Sequence, residues 1–247
     1  MDGTRSVPSI FLYNIAMDIQ RELRRHAHQD KATFFPRFFK TGKGEYGEGD
    51  IFLGVTVPES REIARAHADL PLTDIRTLLY SKIHEERFVA LVILTEQYTR
   101  GTPAEKKQLY NFYLKHTKQV NNWDLVDVSS YKIVGVHLLD KPRNILDRLA
   151  RSKNLWERRI AIVATFTYIR EGQYADTLRI AKILLSDTHD LLHKAVGWML
   201  REVGKRDKKV LVTFLKKYAH IMPRTALRYA IERFPKVEQK RFLQKKK

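Results

Sequence analysis

Four segments of this sequence fall into register when the chain is stepped by 36, 36 and 35 residues. The segments are centred on Arg87, Trp123, Arg159 and Lys194. From Pro58 onward the chain is a succession of helical patterns with short breaks, and strand-like alternation is almost absent. A fixed period of this length holding two helices is typical of an α-solenoid, in which equivalent helices lie side by side and line one face.

The predicted fold class is all-α, an α-solenoid of HEAT-like helix pairs, and residues 1–247 are predicted to form a single domain. Residues 1–50 hold N-terminal helices and a glycine-rich loop, 51–240 the helical repeats, and 241–247 a basic tail of the kind that is commonly disordered. The first helix is predicted over Ser9–His28. The later helices are predicted at 58–68, 72–81, 84–100, 103–117, 121–139, 143–152, 155–170, 174–186, 190–205, 207–219 and 223–234.

The glycine-rich stretch at 41–50 spells G-x-G-x-x-G through Gly42, Gly44 and Gly47. No parallel-strand pattern precedes it, and the acids Glu45, Glu48 and Asp50 would repel a phosphate. We interpret the stretch as a structured loop and not as a dinucleotide site.

The net charge of the chain is +18, and most of this positive charge lies in the second half of the sequence. Residues 1–123 hold 18 basic and 15 acidic residues, whereas residues 124–247 hold 28 and 13. This asymmetry indicates a polyanion, with nucleic acid the first candidate, bound on a basic concave face. The alternative is a solvated basic surface that only aids solubility.

Several function classes are disfavoured by composition. The chain has no cysteine, which removes disulfides and thiol nucleophiles and fits a reducing cytoplasm. No apolar run reaches roughly 18 residues and no signal-peptide pattern is seen, so we expect a cytoplasmic monomer with no membrane contact and no obligate protein partner. His84 lacks a second histidine at metal-ligand spacing and no Ser/His/Asp arrangement stands out, so neither a metal nor a cofactor is expected.

The segment at 121–127 carries the most informative residues. Trp123 and Asp127 lie one turn apart on one helix face, and an aromatic ring beside a carboxylate suits a cationic ligand. The repeat register brings Arg159, Lys194 and Trp198 to the same patch. A structural alternative remains open, in which the tryptophans are core residues and Asp127 pairs with Arg159 only as a bridge.

At these residues the chain resembles the DNA alkylation repair proteins of the AlkD type, which are HEAT-like-repeat DNA glycosylases. The resemblance is carried by W-D-L-V-D at 123–127, by W-x-x-R at 156–159 and by the segment 194–202, with F-L-G-V at 52–55 and P-E-S-R at 58–61 adding to it. It spans most of the chain from about Phe38 onward. The acidic glycine loop is less general in the family, and Asn122 stands where some members have a second aromatic residue.

The resemblance implies a monofunctional glycosylase that excises cationic N3- or N7-alkylated purines from double-stranded DNA by hydrolysis. It implies catalytic roles for Asp127, Trp123, Trp198 and Arg159. By their charge, Arg159 and Lys194 are expected to hold phosphates that flank the lesion. The residues assigned to DNA binding are Lys194, Arg158, Arg201 and Lys205. The alternatives are a non-enzymatic nucleic-acid-binding solenoid and a protein–protein scaffold, and the basic second half argues against the scaffold.

Overall fold

A computed structural model describes residues 15–244, which form 15 α-helices and contain no β-strand. The start of the first predicted helix, at residues 9–14, and the end of the predicted tail, at 245–247, lie outside this range. The helices are α1 (Ile15–Arg25), α2 (Gln29–Phe38), α3 (Val57–Ala66), α4 (Leu72–Leu79), α5 (His84–Arg100), α6 (Pro103–Lys115), α7 (Trp123–Ser130), α8 (Asn144–Ala150), α9 (Leu155–Ala164), α10 (Phe166–Arg170), α11 (Ala175–Leu184), α12 (Asp190–Arg206), α13 (Lys208–Tyr218), α14 (Arg224–Ala230) and α15 (Lys236–Leu243). Over the same range, no helix has the length and apolar character that crossing a membrane requires.

Helix starts follow local signals in the sequence. At α6, Thr102 and Glu105 form a capping box in which the Thr102 backbone N–H donates to the Glu105 carboxylate at 2.7 Å, and Pro103 occupies the first helical position. At α7, the side-chain oxygen of Asn122 accepts from the Trp123 backbone N–H at 2.8 Å. These caps fix where the first turn of each helix begins, and at α7 that turn carries Trp123.

Four helices form the row that the repeat register predicts, and α14 extends the row by one helix. In the order α5, α7, α9, α12 and α14, each helix packs on the next, and Arg87, Trp123, Arg159 and Lys194 lie on the first four of them. A second set, including α4, α6, α8, α11 and α13, packs against this row. Apolar residues of the row, such as Leu91 and Val163, are fully buried. The all-α solenoid is therefore confirmed.

Two predicted helices are interrupted. The helix predicted over 121–139 changes at Tyr131–Gly135 into a single π-helical turn, and the one predicted over 155–170 breaks at Thr165 into α9 and α10. The two irregularities touch each other: a Cβ added to Gly135 would lie 2.4 Å from the Ala164 carbonyl oxygen and from the Thr167 hydroxyl. Glycine therefore permits the wide turn to pack on the break.

Two helices, α2 and α15, have bounds that the hydrophobic pattern of the sequence does not predict. The phenylalanine-rich segment forms α2, which has no buried residue of its own, and α15 continues to Leu243, past the start of the predicted basic tail. The glycine-rich stretch is a structured loop, as predicted. The Glu45 carboxylate accepts from the Gly42 backbone N–H and the Glu48 carboxylate from the Gly44 backbone N–H, each at 2.9 Å.

Candidate active site

Asp127 and Arg159 form a two-pronged ion pair between neighbouring helices of the row. The Arg159 Nε donates to one carboxylate oxygen of Asp127 at 2.9 Å, and Nη2 donates to the other at 2.7 Å. The remaining terminal nitrogen, Nη1, donates to the Leu191 carbonyl oxygen at 2.7 Å. The guanidinium is therefore fixed by α7 on one side and by the start of α12 on the other, and it fixes the carboxylate in turn.

The Asp127 side chain is mostly buried but not sealed from solvent. It keeps 20% of its surface exposed, whereas that of Arg159 keeps only 6%. Protein surrounds the rest of the carboxyl group, and this burial raises its pKa; the Arg159 guanidinium opposes the rise, and the Asp124 carboxylate adds to it. The predicted bridge thus exists, and one fifth of the Asp127 side-chain surface stays exposed beside it.

Trp123 is held by aromatic residues at the end of α2. The Phe39 ring stacks on it at 5.4 Å between centroids with an interplanar angle of 12°, and the Phe38 ring meets it edge-on at 5.9 Å. Phe39 is buried and stacks in turn on Phe52 at 4.9 Å. One face of the Trp123 indole is therefore used for packing, and the side chain as a whole is half-buried.

Tyr46 extends from the glycine-rich loop across the first turns of three helices of the row. Its ring meets Trp156 of α9 edge-on at 6.0 Å and His189, at the start of α12, at 6.3 Å. Burial raises the pKa of the Tyr46 hydroxyl, and the Trp123 side chain and the Lys194 ammonium oppose that rise. The loop thus closes one end of the site, and its tyrosine stays a neutral hydrogen-bonding group.

Trp198 belongs to a second aromatic group. Its half-buried ring lies 6.1 Å from Phe166 of α10, which meets Tyr131 edge-on at 5.4 Å. Tyr131 follows Asp127 by four residues at the start of the π turn. The two tryptophans therefore stand in separate aromatic groups, with Asp127 on the helix that contributes to both.

The four residues predicted to bind DNA are each paired with a carboxylate. The pairs are Lys194 with Asp190 at 2.8 Å, Arg158 with Asp187 at 2.6 Å, Lys205 with Glu202 at 2.6 Å, and Arg201 with Glu232. Arg158 also donates to the backbone carbonyls of Ser152 and Lys153, which fixes it in a connecting turn. Lys194 and Lys205 are the most exposed of the four, at 43% and 40%, so their ammonium groups are the best placed to exchange partners. DNA binding by these residues stays a prediction.

A buried charge network holds the start of α7 in place. His84, whose side chain is 4% exposed, lies between Asp50 at 3.0 Å and Asp124 at 2.8 Å. Arg87 pairs with the other oxygen of Asp50 at 2.6 Å, and the Asn122 amide donates to Asp50 at 3.3 Å. Since Asn122 caps α7 and Asp124 lies in its first turn, the network fixes the helix that presents Trp123 and Asp127.

Some residues of the site were not found from the sequence. Tyr131 lies one helical turn beyond Asp127, so the i, i+4 spacing contained a signal for it. Phe39, Tyr46 and Phe166 belong to other segments, and no local spacing connects them with Asp127. The sequence around His84 gives no sign of its buried role, because its partners are acids 34 and 40 residues away.

The fold and the site together define a helical solenoid protein whose row of helices presents an arginine-held carboxylate between two aromatic groups. The family model described as DNA alkylation repair enzyme matches residues 19–234, and the chain belongs to this family. No curated protein matches the sequence. A solved structure described as a predicted DNA alkylation repair enzyme from Enterococcus faecalis is similar, with a TM-score of 0.68, 17% identity, and coverage of 85% of this chain and 98% of that one. At that identity the likeness concerns the fold.

Proposed function

We propose that this protein is a monofunctional DNA glycosylase that hydrolyses the N-glycosidic bond of cationic N3- or N7-alkylated purines in duplex DNA. Membership of a DNA alkylation repair family supports a damaged-DNA substrate. The observation that carries the proposal is Asp127, whose carboxylate is fixed by Arg159, whose side chain remains 20% exposed, and whose helix is flanked by aromatic rings.

The chemistry of the proposed substrate suits this site. An alkylated purine already carries a positive charge and leaves as a neutral base, so little general-acid help is needed. Positive charge develops instead on the deoxyribose, and a water molecule must attack it. An attraction across ~4 Å at an effective dielectric near 20 is about 4 kcal/mol, or roughly a thousandfold in rate if it acts only in the transition state.

Arg159 is best suited to positioning Asp127. Three of its five N–H donors are used, two by Asp127 and one by the Leu191 carbonyl, and its side chain is nearly buried. A carboxylate held by two hydrogen bonds retains acceptor sites for a water or for a cationic ligand. Phosphate binding then falls to more exposed cations such as Lys194.

The aromatic groups on either side would supply π faces to the cationic nucleotide. Trp123 offers the face that Phe39 does not cover, and Trp198 offers its ring from the neighbouring helix α12. Tyr46 limits the space at the loop end of the site. Bulkier adducts would have to extend away from the loop.

The test is base release from methylated duplex DNA under single-turnover conditions by the wild type and by Asp127→Asn. Removing the charge should lower the rate constant by about a thousandfold and change DNA affinity by less than about threefold. Asp69→Asn, which removes a 93% exposed carboxylate, is the control for net charge and should retain the wild-type rate. Normal release by Asp127→Asn would refute the mechanism.

A non-enzymatic nucleic-acid-binding role is the second candidate. The closed Asp127–Arg159 pair favours it, because an ion pair between helices also serves as a structural link. It predicts salt-sensitive DNA binding with no base release by the wild type at any alkylated purine. The same release assay, run with the wild type alone, separates the two functions.

A further inference from the structure

Helix α2 exposes a pair of phenylalanine rings beside the candidate active site. Phe34 and Phe38 are 58% and 51% exposed, and their rings stack at 6.2 Å between centroids. Phe38 also meets Trp123 edge-on at 5.9 Å, so a continuous row of three rings runs from the site out to solvent. We name Phe34, Phe38 and Trp123 the aromatic row.

The packing of α2 on the fold does not explain why the Phe34 and Phe38 rings are exposed. The neighbouring Phe35 and Phe39 turn inward against Phe52, at 5.7 Å and 4.9 Å, and they satisfy the packing of α2 on the fold. Phe34 and Phe38 lie one turn apart on the other side of the helix. Two large apolar side chains left in water side by side indicate a binding surface.

The charges around the aromatic row are positive and available. Residues 29–43 hold four bases, Lys31, Arg37, Lys40 and Lys43, and one acid, Asp30, a net charge of +3. Among residues 15–244, none of the four bases is paired with a carboxylate, in contrast to the four cations predicted to bind DNA. Aromatic rings flanked by unpaired cations suit a nucleotide, because the rings stack on the base and the cations bind the phosphates.

The backbone at Lys40 supports this assignment. Lys40 ends the segment after α2 with φ of 57°, a left-handed conformation that glycine adopts more easily. Its carbonyl oxygen accepts from the Gly47 backbone N–H at 2.9 Å, which ties the conformation to the loop. The chain thus holds an exposed cation at a position where glycine would be less strained.

We infer that the aromatic row binds a DNA base that has left the duplex stack, with Phe34 and Phe38 as the stacking platform and Lys31, Arg37 and Lys40 on its phosphates. The platform formed by Phe34 and Phe38 is distinct from Asp127 and from the Trp123 face proposed for the lesion, since no step of base release passes through these two rings. The inference rests on the proposed function in one respect, which is that DNA is taken to lie along the row of helices. An unpaired base beside the lesion would be held there while the lesion faces Asp127.

The experiment measures binding of undamaged, fluorescently labelled duplexes by anisotropy. One duplex is fully paired and the other has a single unpaired nucleotide at its centre. The wild type should bind the second at least about fivefold more tightly, since stacking of one base on an aromatic side chain gives this much or more. Phe34→Leu with Phe38→Leu should bring the two affinities within about twofold. Tyr80→Leu, which removes another aromatic side chain that is 56% exposed, should keep the preference.

A second readout follows the base directly. With 2-aminopurine as the unpaired nucleotide, the wild type should quench its fluorescence by stacking, and the double leucine variant should not. Thermal unfolding shows whether that variant is folded, as expected for substitutions at exposed positions. Equal affinity of the wild type for both duplexes, or an unchanged preference in the double leucine variant, would overturn the inference.

Two other results would reassign the surface or the chemistry. Wild-type dimers in sedimentation that dissociate in the double leucine variant would assign the rings to a second copy of the chain, and would also overturn the inference. A wild type that prefers the unpaired nucleotide but releases no alkylated base would support the aromatic row and refute the proposed glycosylase. Asp127→Asn should keep the binding preference, since no chemistry is involved.

Discussion

Replacing His84 should remove a pH-dependent part of the stability of this protein. The imidazole is buried between the carboxylates of Asp50 and Asp124, and Arg87 pairs with Asp50. With a protonated imidazole the network holds two negative and two positive charges. With a neutral imidazole it would hold an uncompensated buried carboxylate, which is costly.

The size of the effect follows from the pKa of His84. Burial lowers this pKa, but the attraction and hydrogen bonds of Asp124 and Asp50 outweigh burial and raise it to about 9, from 6.5. Because the folded-state pKa lies above the unfolded value, the stabilisation is complete below about pH 6.5 and is lost as the pH rises through about 9. At 1.36 kcal/mol per pKa unit it amounts to about 3 kcal/mol.

The assay is the free energy of unfolding in urea at pH 6 and at pH 9.5 for the wild type and for His84→Gln. The wild type should lose about 3 kcal/mol more than the variant between the two pH values, since every other titrating group is common to both. His220→Gln, at an exposed histidine, should behave as the wild type. Equal pH dependence of the wild type and His84→Gln would refute the assigned charge network.

Two further substitutions test the parts that hold the site. Arg159→Met leaves the Asp127 carboxylate without its partner, so the free energy of unfolding should fall by about 3–5 kcal/mol, whereas Lys194→Met, at an exposed pair, should change it by less than about 1 kcal/mol. In Arg159→Met the acid limb of the rate–pH profile should also move to higher pH, because the guanidinium no longer opposes the raised pKa of Asp127. An acid limb that does not move would argue against Asp127 as the titrating group. Gly197→Ala places a Cβ 2.5 Å from the Ala226 carbonyl oxygen and from the Tyr229 Cβ, so it should cost about 1–3 kcal/mol in urea unfolding. Gly204→Ala in the same helix meets no backbone atom but only the Leu211 side chain, with Cδ2 at 2.4 Å and Cβ and Cγ at 3.4 Å, so it should cost less. Equal effects at the two glycines would contradict the close packing of α12 on α14.

The row of helices could be predicted from the sequence because similar segments recur at a nearly constant spacing. Stepping by 36, 36 and 35 residues aligned α5, α7, α9 and α12, and these helices pack in that order. The bounds of α5 were predicted without error at 84–100, since Gly101 and the Thr102 capping box mark its end. The break at Thr165 was missed because apolar residues continue on both sides of it, and its hydroxyl turns inward to the Ile162 carbonyl at 2.7 Å.

The site could be predicted from the sequence only for residues that lie at equivalent positions of the repeat. The sequence brought Asp127 beside Arg159, and the structure joins them with two hydrogen bonds. It did not indicate that Arg158 and Arg201 have carboxylate partners, because Asp187 and Glu232 lie about 30 residues away, and a count of charge does not show which charges are paired. Tyr46 and Phe39 reach the site through the glycine-rich loop and the end of α2, which follow no repeat.

The π turn at Tyr131–Gly135 has a consequence for how the helix that carries Asp127 can vary. A π turn holds one residue more than an α turn, and one residue rotates a helix by about 100°. Deleting that residue would rejoin α7 to the following turn as regular helix and swing Asp127 away from Arg159, as long as Ile133 and Val134 stay buried. The extra residue thus sets the rotational phase between the half of the helix that carries Asp127 and the half that is anchored in the core, so we expect single-residue deletions to be tolerated less here than substitutions.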